Sequence, residues 1–352
     1  MEKKYRIIGL MSGTSLDGVD IAYCEFTKNT TWTYDIIHSQ TFEYNDQWKE
    51  ILSLAEESSA LDLARSDVFL GQLFGNLTNA FIDFHQINKD DLDAISSHGH
   101  TIFHQPELSL TTQIGNGAQI AALTGIKTIC DFRTTDVALG GQGAPLVPIG
   151  DSLLFSEFDY CLNLGGIANI SFQEKGQRIS FDIGLANIVG NFLCRHLEAG
   201  YDKGGELAKS GKIDNSLLTK MNELEYFYLN SPKSLGKEFF NTQFQPLLDQ
   251  SKSNLADKLH TFGVHLGMQI GKHINHGNCL VTGGGAYNEF WMEQINLQSK
   301  GKITLPTPQI IDFKEALLFA FLGALRLEEE INALKSVTGA SKNSCGGCIY
   351  LG

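Results

Sequence analysis

Two stretches of this chain follow one plan. IIGLMSGTSLDGVDIAYCEF (residues 7–26) and YCLNLGGIANISFQ (residues 160–173) each read as apolar strand, tight glycine-bearing turn and second strand. Each opens one half of the chain, and each is followed by further strand and helix segments. A chain built this way is constrained to two similar domains, a duplicated unit rather than one continuous core. The alternation of strands with helices makes it an α/β protein. The length, 352 residues, suits two domains of ordinary size.

Residues 45–95 read as largely helical, with apolar spacing at Leu63, Val68, Leu70, Leu73, Phe74, Leu77 and Phe81. DAISSHGHTIFHQ (93–105) reads as a strand running into a glycine loop, and KTICDF as another strand. TTDVALGGQGAPLVP reads as a long Gly/Pro loop and the first boundary candidate. Helices are expected over 185–200 and 253–275, a strand in KITLPTP, and a long apolar helix from Lys314 to Leu334. The acidic run at 328–330 reads as its solvated face. The expected domains are 1–135 and 136–335, with 336–352 returning to the first as a strand.

The net charge of −13 argues against a broad electrostatic grip on nucleic acid. No run approaches the roughly 20 apolar residues of a membrane span, and the short apolar stretch after the N-terminus does not suit a signal peptide. A cytoplasmic location is expected. Seven cysteines, an odd number scattered through apolar segments, suit a reducing compartment. Cys345 and Cys348 form a single C-x-x-C, which lacks the second pair a zinc site needs.

Three glycine turns, Ser12–Gly18, Gly165–Asn169 and Gly283–Asn288, could let backbone approach a phosphate. Any one of them alone would more simply be a hairpin turn. Three together, without a G-x-x-x-x-G-K-[ST] or a well-placed G-x-G-x-x-G, point to nucleotide held in another way. The candidate contacts are Gly13, Thr14, Ser15, Leu16, Asp17, Gly18, Val19 and Asp20 of the first turn. Gly165, Gly166 and Asn169 of the second join them, with Gly283, Gly284 and Gly285 of the third. The hydroxyls of Ser12, Thr14 and Ser15 could donate to phosphate oxygens. A carboxylate there implies a bridging Mg²⁺, with Asp17 as its water-mediated ligand.

G-x-M-S-G-T-S-x-D-G-x-D resembles the opening signature of the anhydro-N-acetylmuramic acid kinases, members of the sugar kinase/Hsp70/actin superfamily. SHGHTIFHQP, DFRTTDVALGGQGAPLVP, LNLGGIANIS, YDKGGELAKSGK, PKSLGKEFFN, VTGGGAYN and KEALLFAFLG resemble further family segments in order, over nearly the whole chain. The resemblance implies a two-domain actin-like ATPase fold with duplicated sheet-and-helix domains around a central cleft. It implies an ATP- and Mg²⁺-dependent kinase that opens the ring of 1,6-anhydro-N-acetylmuramic acid with water. O6 is phosphorylated, giving N-acetylmuramic acid 6-phosphate in peptidoglycan recycling.

By the same resemblance Asp182 is the general base, although a turn or N-cap aspartate would also fit its place. Arg133 would hold a substrate carboxylate or phosphate oxygen, or else be a surface cation beside Asp131 or Asp136. Glu315 would bind sugar hydroxyls, or else complement a helix dipole. His98 and His104 flank the Gly99 loop and could bond the sugar. Gly141, Gln142 and Gly143 would bring a loop to the substrate or act as a hinge. Three positions depart from the pattern in segments expected near the sugar: His100 for Gln, Ile183 for Thr and Ala186 for Gly. Other readings are a kinase of a different anhydro- or amino sugar, and a non-catalytic nucleotide-binding regulator on the same scaffold. The partner expected is a small amino sugar; a homodimer is compatible, with no residue that argues its interface.

Overall fold

The computed structural model describes residues 2–13 and 15–352. The strands are β1 (Lys3–Ser12), β2 (Gly18–Lys28), β3 (Trp32–Glu43), β4 (Ala94–Ser97), β5 (His100–Gln105), β6 (Leu110–Ile114) and β7 (Thr128–Cys130), followed by β8 (Tyr160–Leu164), β9 (Ile167–Glu174), β10 (Gln177–Leu185), β11 (Asn278–Thr282), β12 (Lys302–Thr304) and β13 (Cys348–Tyr350). Two compact units result: residues 1–154 with 313–352, and residues 155–312.

The first unit holds a sheet in the order β13-β7-β4-β1-β2-β3, and the second a sheet in the order β10-β9-β8-β11-β12. Without the added β13, each is an antiparallel three-strand meander whose first strand then pairs in parallel with a strand from later in the chain. The shared strand order is the duplication expected from the paired hairpins.

Strand position explains burial. β1 is central and buries Ile7, Ile8 and Leu10 on both faces, whereas β3 at the edge buries only Trp32 and otherwise runs between half-buried and exposed residues. In the first unit Leu70, Phe74, Phe81 and Ile82 of helix Ala60–Phe84 pack on Ile8, Leu10, Ile21 and Ile95. Asn side chains start several helices: Asn116, Asn254 and Asn288 each accept a backbone N–H from the first turn. In the second unit a stripe of Gly263, Gly267 and Gly271 lets helix Leu255–Gly271 lie close to helix Glu289–Gln298. A Cβ at these positions would stand 2.5–2.8 Å from Phe290, Gln294 and Gln298.

The unit joins fall at 154/155 and 312/313, not at 135/136 and 335/336. Packing explains the shift. The expected Gly/Pro loop contains helices Thr134–Ala138 and Val147–Leu154. Gly150 of the latter lies against Leu318, where a Cβ would come within 2.2 Å of Cδ2. Asp151 pairs with Lys314 at 2.7 Å, both nearly fully buried. The long helix is Pro308–Leu327, and its residues from Phe313 belong with the first unit. Glu328 follows that helix and, instead of facing solvent alone, receives Lys3 and Lys28 at 2.8 and 2.7 Å and the Tyr5 hydroxyl. Among the described residues no helix is long and apolar enough to cross a membrane.

Gly9 is where β1 meets helix Pro308–Leu327: a Cβ there would stand 2.1 Å from the Ala316 carbonyl oxygen and 2.9 Å from Ala320 Cβ. Gly9→Val is expected to destabilise the protein by about 3 kcal/mol, because neither backbone can give way. Urea unfolding measures it; a loss below about 0.5 kcal/mol would contradict the packing.

Candidate functional site

In the first unit β1 turns into β2 through residues 13–17. The turn is tied down from behind. Leu16 takes a positive φ of 61° and packs on the core; its N–H bonds Gly13 O at 3.3 Å. Tyr44 N–H bonds Asp17 O at 3.1 Å. Ser12, expected as a phosphate donor, is buried, with its hydroxyl between Tyr44 OH (2.6 Å) and His100 Nδ1 (2.8 Å). Val19 is fully buried, and Gly18 lacks a side chain because a Cβ would meet Phe42 O at 2.3 Å. What remains presentable is backbone, Ser15 and Asp17, both exposed, and the open surface of Gly13. Asp20 accepts the Thr41 hydroxyl at 2.6 Å. Thr14 lies outside the described residues.

A relay of hydrogen bonds sets Arg133. Its Nε and Nη2 reach His98 Nε2 at 3.1 and 2.8 Å, and its Nη1 donates to Gly143 O at 2.7 Å. Asp136, fully buried, holds that loop by accepting Gly143 N–H and the Thr338 hydroxyl, each at 2.8 Å. Gln142 N–H bonds Thr338 O at 2.8 Å. Burial, then the Arg133 charge, pushes His98 well below the usual imidazole range, so His98 is a neutral acceptor. Arg133 is lowered to about 10 by burial, opposed by Glu315, and stays charged. Glu315 is exposed on the surface of its own unit, and its carboxyl is held above the ordinary range by desolvation and then by Asp20, with Arg133 opposing. His98 and Arg133 are thus brought together, with Glu315 within reach of the Arg133 charge. His104 is exposed and bonds Thr111 at 3.1 Å instead.

In the second unit Gly165 and Gly166 join β8 to β9, and their carbonyls accept the N–H groups of Ala186, Asn187 and Ile188 at the start of helix Asn187–Cys194. Asn169 pairs opposite Asp182, where β10 bulges before Gly184. Asp182 is clasped by one segment: its N–H donates to Lys233 O (3.1 Å), its carbonyl accepts Tyr226 OH (2.6 Å), and Oδ2 accepts Leu235 N–H (2.9 Å). Oδ1 takes no hydrogen bond among the described residues. Burial raises this carboxyl to about 6, against the lowering pull of the Leu235 N–H. Such a group is an ionised base at neutral pH, close to the proton affinity that general base catalysis favours.

The three departures point inward. Ile183 and Ala186 belong to the core, and His100 is buried on Ser12, lowered to about 4 by burial. None of the three presents its side chain at the surface of its own unit.

A cavity of about 570 Å³ also lies in the second unit, lined by Asn187, Asn191, Lys203, Gly284, Tyr287 and Trp291 among others. This size suits a small-molecule site. Gly284 lines it directly. Gly283 (φ +85°) and Gly285 stand behind it, where a Cβ would press on Leu164 at 2.8–2.9 Å. Sequence reasoning missed Asn187, Asn191, Lys203 and Tyr287, and likewise Asp136, Tyr226 and Leu235. Asp136, Lys203, Leu235 and Tyr287 lie inside matched segments, but as structural partners they carry no chemical signature of their own.

Each unit thus sets a glycine turn after its first strand, on a shared strand order, and this defines a two-unit α/β protein with a duplicated sheet plan. The family profile described as "Anhydro-N-acetylmuramic acid kinase" matches residues 5–352. A curated relative of that name from Sulfurovum sp. (strain NBC37-1) is 37% identical, over 99% of each chain. One from Aliivibrio fischeri is 36% identical, over 98% of this chain and 99% of its own. One from Coxiella burnetii is 35% identical, over 99% and 98%. The chain belongs to the anhydro-N-acetylmuramic acid kinase family; it is an enzyme, a kinase that uses ATP.

A side chain at Gly284 has space, since the nearest atom to a Cβ is Asn187 Nδ2 at 3.8 Å. Gly284→Leu is therefore expected to leave stability within about 0.5 kcal/mol while filling the cavity. The KM for ATP should rise by about tenfold or more, a loss of at least roughly 1.4 kcal/mol. Unchanged ATP kinetics would exclude this cavity as the nucleotide site.

Proposed function

We propose that this chain converts 1,6-anhydro-N-acetylmuramic acid, water and ATP to N-acetylmuramic acid 6-phosphate and ADP. The observation that carries this reading is Asp182: a base raised to about 6, fixed at its N–H, carbonyl and Oδ2, with Oδ1 left to take a proton. Asp182 accepts a proton from water as the water oxygen bonds the anomeric carbon. The bond from that carbon to O6 breaks, and O6 takes the γ-phosphoryl group of ATP.

The 570 Å³ cavity would take the nucleoside, with the turns at 165–166 and 283–285 of the same unit serving its phosphates; the turn at 13–17 is taken by itself as a further phosphate contact. Among the described residues no three His, Cys, Asp or Glu side chains converge as a metal site. Mg²⁺ is usually held by one or two carboxylates together with substrate phosphates and water. Asp17, exposed on its turn, is the carboxylate proposed to hold it through water; the ion would neutralise developing phosphate charge. Arg133 has about five N–H donors and gives three to His98 and Gly143. Those left over suit a substrate carboxylate, and Glu315 suits sugar hydroxyls. A cytoplasmic location follows from the use of ATP on a recycled sugar.

³¹P NMR with Mg·ATP and the anhydro sugar tests this: a sugar 6-phosphate signal is expected, and Asp182→Asn should lower kcat about 10³-fold. ADP without sugar phosphate would overturn the substrate. The wild-type rate should rise with pH through about 6 as Asp182 ionises. The same group makes a stability prediction of defined sign. A carboxyl whose folded-state pKa is raised from 3.8 to about 6 favours folding less as pH climbs through that window. Asp182→Asn should therefore be more stable than wild type at pH 8, by up to about 3 kcal/mol, and lose that advantage below pH ~4. Equal stabilities at both pH values would mean that Asp182 is not raised.

A further inference from the structure

The kinase reaction uses none of the cysteines, yet two of them meet across a strand pair. β13 pairs antiparallel with β7, and Cys348 stands directly opposite Cys130. Directly opposed residues of an antiparallel pair share a face, with Cβ atoms about 4.5–5.5 Å apart. Their surroundings agree: Cys130 Sγ and the Tyr350 ring, two residues beyond Cys348, both press on Gly117, where a Cβ would meet them at 2.6 and 2.9 Å. Both cysteines are free thiols; Cys348 is exposed and Cys130 is partly accessible. Cys348 Sγ also lies 3.7 Å from Asp131 Oδ2, beside Cys130. Cys345, the other half of the C-x-x-C, is separated from Cys348 by Gly346 and Gly347 and has Arg326, Glu329 and Glu330 as its charged neighbours.

We infer that Cys130 and Cys348 form a thiol–disulfide exchange site, which a small disulfide oxidises to a bond that fastens the C-terminal strand to the sheet. The Cys348 thiolate attacks one sulfur of the small disulfide and releases one thiolate, leaving a mixed disulfide. The Cys130 thiolate attacks the Cys348 sulfur and releases the second. The protein dithiol is oxidised by two electrons, the small disulfide is reduced to two thiols, and the two protein protons pass to them. A disulfide needs Cβ atoms roughly 3.5–4.5 Å apart, so closure asks β13 to move inward by about 1 Å. Burial lifts the Cys130 thiol to about 12, and burial with Asp131 raises Cys348. Exchange is accordingly slow, and the site answers to sustained oxidation.

The test uses the full chain, equilibrated with oxidised and reduced glutathione at graded ratios and then read by intact mass and non-reducing peptide mapping. The expected product has lost two hydrogens and carries a Cys130–Cys348 cross-link. Cys345→Ser should keep the cross-link, and Cys348→Ser should lose it. Hydrogen exchange at 128–130 and 348–350 should slow on oxidation in wild type and not in Cys348→Ser. A Cys345–Cys348 link would overturn the inference, and so would glutathione retained on Cys348 with Cys130 still free. Neither readout depends on kinase activity, so the sugar assignment and this site stand or fall separately.

Discussion

Helix Pro308–Leu327 lies on the first sheet with backbone almost touching backbone, and the rest of that unit is placed by this contact. Gly9 of β1 leaves no side chain between strand and helix, and Gly323 does the same above Ser96 of β4. The Ser96 hydroxyl then donates to Phe319 O at 2.5 Å. Because helix and sheet cannot slide, Phe319 is set against the His98 ring at 4.5 Å, and Glu315 one turn earlier is set within reach of the Arg133 charge. Lys314 is locked by its buried pair with Asp151. Such a pair adds little net stability, but breaking it strands a charge, so it fixes the helix rotation that Glu315 depends on.

The two units share a strand order and use it differently. In the first, the groups proposed to meet the sugar are positioned by a chain of side-chain bonds from Thr338 through Asp136 and Gly143 to Arg133 and His98. In the second, Asp182 is positioned almost wholly by backbone, from Lys233 and Leu235, with one hydroxyl from Tyr226. The difference is chemical. A cation that must stay charged tolerates a crowd of neutral acceptors. A base must keep one oxygen free and its charge only partly stabilised, and a single backbone N–H does that where a salt bridge would suppress its basicity.

Much of this was legible in the sequence. The paired hairpins announced the duplication, and the turns marked by Gly165 and Gly283 lie where strands end. What misled was the assumption that a hydroxyl or glycine in a ligand-like turn faces the ligand. Ser12 ends β1 pointing inward, and Gly18 answers to the close approach of β3; both depend on distant neighbours, Tyr44 and Phe42. Ile183, read as a change beside the sugar, follows the strand alternation that puts Asp182 on one face and its neighbour in the core. The domain joins were misplaced for a similar reason. Val147–Leu154 has loop-like composition at its start, and its packing on Leu318 with the Asp151–Lys314 pair assigns it to the first unit.

The glycine stripe on helix Leu255–Gly271 reaches further than its interior location suggests. It determines how near helix Glu289–Gln298 stands, and the first residues of that helix, with Asn288 and Tyr287 before it, form a wall of the 570 Å³ cavity. Cavity width is therefore written at Gly263, Gly267 and Gly271, none of which lines the cavity. Stepping a single glycine up to alanine would press on Phe290, Gln294 or Gln298 and shift that wall. Residues lining the cavity would stay the same, and comparison of binding residues alone would miss the change.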